Sequence, residues 1–107
     1  MGQSLQGIAP AIDGPFDYET VAASQTDQVM GVTGAANDYL QSVIVSIGTS
    51  ATGTCSIKDG GGAAIPLTTA GTALGCYQFW LSTLSVSGAW KITTGAGATA
   101  IGIGKFT

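Results

Sequence analysis

Few residues in this chain are equipped for chemistry. Among 107 residues there are three basic and six acidic side chains, and no histidine. The three cations are Lys58, Lys91 and Lys105, so there is no arginine either. Without histidine the commonest general base and the commonest metal ligand are missing. Ser–His–Asp and Cys–His mechanisms are therefore excluded within one chain. Without arginine there is no planar fork to clamp a phosphate or carboxylate in two places. The acids Asp13, Asp17, Glu19, Asp27, Asp38 and Asp59 are dispersed along the chain. The expectation is a non-enzymatic protein with no catalytic, cofactor-binding or metal-binding residues.

Two cysteines, Cys55 and Cys76, are the remaining reactive groups. They are too few for a disulfide scaffold and too far apart for a metal knuckle. As small core hydrophobes they need no partner. As a disulfide they would need Cα atoms within about 7 Å, which spacing alone does not decide. A zinc site would lack ligands. Gly95-Ala96-Gly97 is no phosphate loop, because the lysine and following Ser/Thr of that motif are absent. Three scattered cations against six acids argue against nucleic acid as a partner. The longest strongly apolar run, Val43-Ile44-Val45, is far short of a membrane-spanning helix. The N-terminus shows neither the basic nor the apolar segment of a secretion signal.

The elements that would position these residues are strands. Glycine and small polar residues punctuate the chain, and no stretch keeps the three-and-four apolar spacing of a helix. Residues 39–47 alternate, with Val43, Val45 and Ile47 on one face and Ser42 and Ser46 on the other. Leu40 and Ile44 share the serine face, so this strand is expected to be covered on both sides. Residues 54–58 alternate Cys55 and Ile57 against Thr54, Ser56 and Lys58, and Asp59-Gly60-Gly61-Gly62 turns the chain. Residues 64–68 form a short strand that Pro66 confines to a sheet edge. In residues 76–82, Tyr77, Phe79 and Leu81 oppose Gln78, Trp80 and Ser82. In residues 89–93, Trp90 and Ile92 point in, with Lys91 and Thr93 out. A last strand, 99–106, carries Ile101 and Ile103 on one face; its Gly102 and Gly104 suggest a bulge or a close approach of another backbone. Weaker strands lie at 18–23 and 28–32. About eight short strands with a turn every 8 to 12 residues predict an antiparallel β-sandwich of jelly-roll type, spanning residues 18–107 as a single all-β domain.

Residues 1–17 contain two prolines and three glycines and do not alternate. They form either a disordered tail or an extended arm that orders by packing Ile8, Ile12 and Phe16 on a partner. Residues 39–57 and 60–90 carry no charged side chain. Hydroxyls alone would keep such a surface in solution; otherwise it is buried in an interface, since interface centres are poor in charge and rich in aromatics. If Tyr77, Phe79 and Leu81 fill the core, Trp80 faces outward and is the natural association anchor. The candidate interface residues are thus Ile8, Ile12, Phe16 and Trp80.

Four segments together carry a resemblance: Val21-Ala-Ala-Ser-Gln-Thr-Asp-Gln-Val-Met30, Gly34-Ala-Ala-Asn-Asp-Tyr-Leu-Gln-Ser-Val-Ile-Val-Ser-Ile47, Ser56-Ile-Lys-Asp-Gly60 and Gly88-Ala-Trp-Lys-Ile-Thr-Thr-Gly95. The chain resembles small all-β structural proteins encoded in tailed-bacteriophage gene clusters, most of all capsid decoration (cement) proteins. The resemblance spans about residues 18–106. It implies a jelly-roll-like homotrimer, assembled in the bacterial host cytoplasm and seated on the capsid exterior, whose partner is the major capsid protein. It carries no catalytic or ligand motif. A tail or fibre module and a carbohydrate- or receptor-binding sandwich using Trp80 or Trp90 as a stacking platform are the other readings.

Overall fold

A computed structural model of the chain describes residues 15–48 and 53–107. Eight strands account for its regular structure: β1 (Asp17–Val21), β2 (Gln28–Val29), β3 (Tyr39–Ile47), β4 (Cys55–Asp59), β5 (Ile65–Thr68), β6 (Gly75–Leu84), β7 (Trp90–Thr94) and β8 (Ala98–Lys105). They form two four-stranded sheets, ordered β1-β8-β3-β6 and β2-β7-β4-β5. Every pairing is antiparallel. The chain is therefore an all-β sandwich. Its pairing is nested: first strand with last, second with seventh, third with sixth, fourth with fifth.

The core follows from alternation. Val43, Val45 and Ile47 of β3 point inward to meet Cys55 and Ile57 of β4 and Trp90 and Ile92 of β7, all buried. Tyr77, Phe79 and Leu81 of β6 pack against this cluster and are partly buried. Pro66 lies in β5, which is an edge of the second sheet. A proline lacks the N–H that an interior strand must donate.

Two details differ from the sequence expectations, which leave a third, the facing of β8, open. Leu40 is not on the serine face. The register of both β3 ladders slips between Leu40 and Ser42. This bulge reverses the alternation, so Leu40 points inward and is fully buried, while Tyr39 turns outward. Ile101 and Ile103 lie on the outer face of β8, whose inner face is Ala98, Ala100, Gly102 and Gly104. That inner face must be small: a methyl at Gly102 would stand 2.9 Å from Met30 Sδ and 3.3 Å from Ile92 Cδ1. Finally, Asp17 begins β1 rather than ending an arm, pairing with Gly104.

The few acids hold loops. Asp38 is buried, and its carboxylate accepts hydrogen bonds from the Ala35 and Thr107 N–H groups, each at 3.1 Å. The Asp59 carboxylate accepts from the Val86 and Ser87 N–H groups at 2.8–2.9 Å, fixing the loop between β6 and β7. Glu19 accepts from the Gly31 N–H at 2.8 Å. Asp27 meets Lys58 at 3.2 Å. The Lys58 ammonium, helped by the Thr93 hydroxyl, holds the Asp27 carboxyl below its ordinary range. A lowered folded-state pKa means this pair supports the fold at neutral pH and loses that support as acid titrates Asp27. Its exposure keeps the contribution small.

Candidate docking face

The two sheets present very different outer surfaces. On the second sheet, Lys58 stands opposite Lys91 and Ser56 opposite Thr93, with Asp27 bonded to Lys58 and Thr93. This is an ordinary charged, hydroxyl-rich solvent face. It also holds a shallow depression of about 240 Å³ lined by Thr54, Ser56, Pro66, Thr68, Thr69 and Thr93 with Cys55. The lining offers hydroxyls but no acid, base or exposed nucleophile. Among the described residues no cluster of three or more His, Cys, Asp or Glu could hold a metal ion.

The outer face of the first sheet is nearly uncharged. Register builds it row by row. Tyr18 pairs with Ile103, Ile103 with Ser42, and Ser42 with Trp80. The next row runs Thr20, Ile101, Ile44, Gln78, and the one beyond it Thr99, Ser46, Cys76. At the other end Lys105 pairs with Tyr39 and Tyr39 with Leu84. Phe16 joins that end, its ring centroid 5.6 Å from that of Tyr39 at a tilt of 44°. Lys105 is the one formal charge in these rows. Tyr18 is 72% exposed and Trp80 67%. Two large aromatics thus stand at opposite ends of one row, with Ile103 and the fully buried Ser42 between them.

Each strand contributes because its other face is needed for the core. β6 turns Tyr77, Phe79 and Leu81 inward, which forces Trp80 and Gln78 outward. β8 cannot place isoleucine inward against Met30 and Ile92, so Ile101 and Ile103 are displayed. Sequence reasoning placed Trp80 and Phe16 in an interface, and both lie on this face. Ile8 and Ile12 lie outside the described residues. Sequence reasoning missed Tyr18, Tyr39, Ile44, Ile101, Ile103 and Leu84 as members of the same surface. The period-2 pattern signalled which residues share a face of one strand. It carried no sign that β1, β8, β3 and β6 are neighbours. Trp90, the other tryptophan, is 3% exposed and its Nε1 donates to the Asp38 carbonyl at 3.0 Å, so it offers no stacking surface.

The cysteines separate completely. Cys55 points into the core, whereas Cys76 is exposed on the outer face of β6, and both are free thiols. A disulfide between them is ruled out, and Cys76 is not the core residue its size allowed. Burial pushes the Cys55 thiol up to about 11. Native protein treated with a thiol-specific chromogenic reagent near pH 8 is expected to release one fast equivalent, from Cys76, with the second appearing only in denaturant. Two fast equivalents would contradict this burial. No protein-family model matches the chain, and no characterised protein or solved structure is significantly similar to it.

Proposed function

We propose that this protein is a non-enzymatic virion component that seats the outer face of its first sheet on the exterior of a capsid and ties neighbouring capsid subunits together. The observation that carries this reading is the contrast between the two outer surfaces: one charged and solvent-suited, the other nearly charge-free and bearing exposed Tyr18 and Trp80. Interface centres have that composition, and aromatic anchors supply most of the binding energy. The nested strand order is consistent with a jelly roll, a fold common in viral coats. The resemblance to decoration proteins supports the same assignment, with the major capsid protein as partner and the capsid exterior as location.

The test is co-sedimentation of the protein with shells assembled from the major capsid protein of the same gene cluster. Wild type is expected to pellet with the shells. Trp80→Ala is expected to weaken binding about 30-fold, the counterpart of losing a hot spot worth about 2 kcal/mol. Its urea midpoint should stay near wild type, because an exposed side chain contributes little to stability. Full binding by Trp80→Ala and by Tyr18→Ala would refute this use of the face. Two aromatics on one flat row also suit stacking on a sugar chain, so a glycan array is the second assay. Glycan binding lost with Trp80→Ala, without shell binding, would favour receptor recognition instead. Immunogold label at the tail would favour a tail module.

A further inference from the structure

The sandwich has four sheet edges, and the sequence treats them unequally. An edge strand exposes unpaired N–H and C=O groups, which proteins usually protect with brevity, charge or proline. β1 is five residues long and carries Asp17 and Glu19. β2 has two residues. β5 has four, one of them Pro66. β6 has ten residues, no charge and no proline. Its irregularities are Gly75 at its start, at φ 144°, and Ser82, at φ 51°, opposite the slip in β3. Gly75–Leu81 therefore runs as an unprotected strand. Among the described residues nothing pairs with its outer side.

Its flank is also apolar in both layers. Trp80 projects from the outer face. Tyr77, Phe79 and Leu81 on the inner face are only partly buried. Ile65 of β5, the edge strand at the corresponding end of the second sheet, is exposed as well.

We infer that β6 pairs antiparallel with β6 of a second copy of this chain, about a two-fold axis perpendicular to the sheet. The occupant follows from the chemistry of the edge. A charged peptide would find no opposite charge there, whereas two identical uncharged strands meet without repulsion and satisfy each other's main-chain groups. Pairing centred near Phe79 gathers the Tyr77, Phe79 and Leu81 side chains of both copies into one apolar row. A two-layer flank along ten residues measures about 33 Å by 20 Å. Two such flanks bury roughly 1,300 Å², within the range of specific interfaces. The two four-stranded sheets become one sheet of eight, and both docking faces end up on the same side. The inference does not depend on what those faces bind, and it replaces the three-fold symmetry implied by the resemblance with a two-fold.

Sedimentation velocity on the full chain from about 1 to about 200 µM tests it, with amide hydrogen exchange on the same samples. The expected species has twice the 10.6 kDa chain mass. Gln78→Lys, an exposed substitution on β6 that places like charges near the axis, is expected to weaken dimerisation at least tenfold with little change in urea midpoint. Thr20→Lys, on the same face but at the opposite edge, is expected to leave it unchanged. β6 amides should gain protection as concentration rises, while β1 amides do not. A monomer throughout, a trimer, equal loss in Thr20→Lys, or β6 protection independent of concentration would each overturn the proposal. Shell co-sedimentation is read separately, so failure here leaves the docking result standing.

Discussion

Trp90→Ala is expected to lower the free energy of unfolding by about 3–5 kcal/mol, the range for deleting a large buried aromatic. Small domains have only about 5–15 kcal/mol in total, so the variant should be close to unfolded at physiological temperature. The reason is the number of elements that converge on this residue. The indole is buried between the sheets, and its Nε1 donates to the Asp38 carbonyl at 3.0 Å. The same carbonyl accepts from the Ser85 N–H at 2.8 Å, and the Trp90 carbonyl accepts from the Met30 N–H at 2.8 Å. Removing the ring opens a cavity beside Asp38, whose carboxylate secures Ala35 and the last residue, Thr107. Trp90→Phe keeps most of the apolar volume and loses the donor, and is expected to cost about 1–2 kcal/mol. Urea melts of the two variants and of Trp80→Ala should fall in the order Trp90→Ala, Trp90→Phe, Trp80→Ala, with Trp80→Ala the most stable. A Trp80→Ala loss as large as that of Trp90→Ala would place Trp80 in the core.

Gly104→Ala should be comparably damaging for a different reason. A Cβ at this position would overlap the Tyr39 carbonyl oxygen and lie 3.0 Å from the Tyr39 carbonyl carbon and 3.1 Å from Leu40 Cα. All three are backbone atoms in the bulge of β3, so no side chain can swing aside. Relief requires breaking the β3–β8 ladder beside Leu40, the residue that the bulge turns into the core. The expected loss is at or above the upper end of the ~1–3 kcal/mol usual for overpacking. Gly61→Ala is the control, since a Cβ there meets nothing within 4 Å, and its melt should match wild type. Equal midpoints for Gly104→Ala and Gly61→Ala would refute the close approach.

Most strands were legible because their residues alternate. Residues 39–47 match β3, the strand expected over 76–82 extends to Gly75–Leu84, and the others are shifted or trimmed by a few residues at their ends. Trp90 and Trp80 also fell on the faces their neighbours indicated. Where legibility failed, the cause was an interaction between distant segments. The bulge near Gln41 reverses Leu40, and nothing local to 39–47 marks it. Its partner signal is Gly104, more than sixty residues away, which sequence reading marked as either a bulge or a close approach without naming what approaches. The candidate docking face was visible only as an absence of charge over 39–57 and 60–90. Turning that absence into one surface required sheet order, which period-2 patterning does not encode. Cys76 was misjudged because residue size sets whether a cysteine can be buried, while strand facing sets whether it is.

The nested pairing also governs time. β1 waits for β8, and β3 for both β6 and β8, so the first sheet closes only through contacts between segments far apart in the chain. Loop-closure entropy must be overcome before those contacts give anything back, which puts this topology among domains that fold in milliseconds to seconds. Among the described strands only β4 and β5, joined by the turn after Asp59, are both adjacent in sequence and paired with each other. Assembly should therefore start at this central hairpin and zip outward, β3 with β6, β2 with β7, and β1 with β8 last. On a ribosome adding about 5–20 residues per second, β1 is made several seconds before its partner exists. Late in that interval, once β6 is made, the unprotected strand of one nascent chain can meet that of another, so the edge proposed to join finished subunits is also where unfinished ones are most exposed to mispairing.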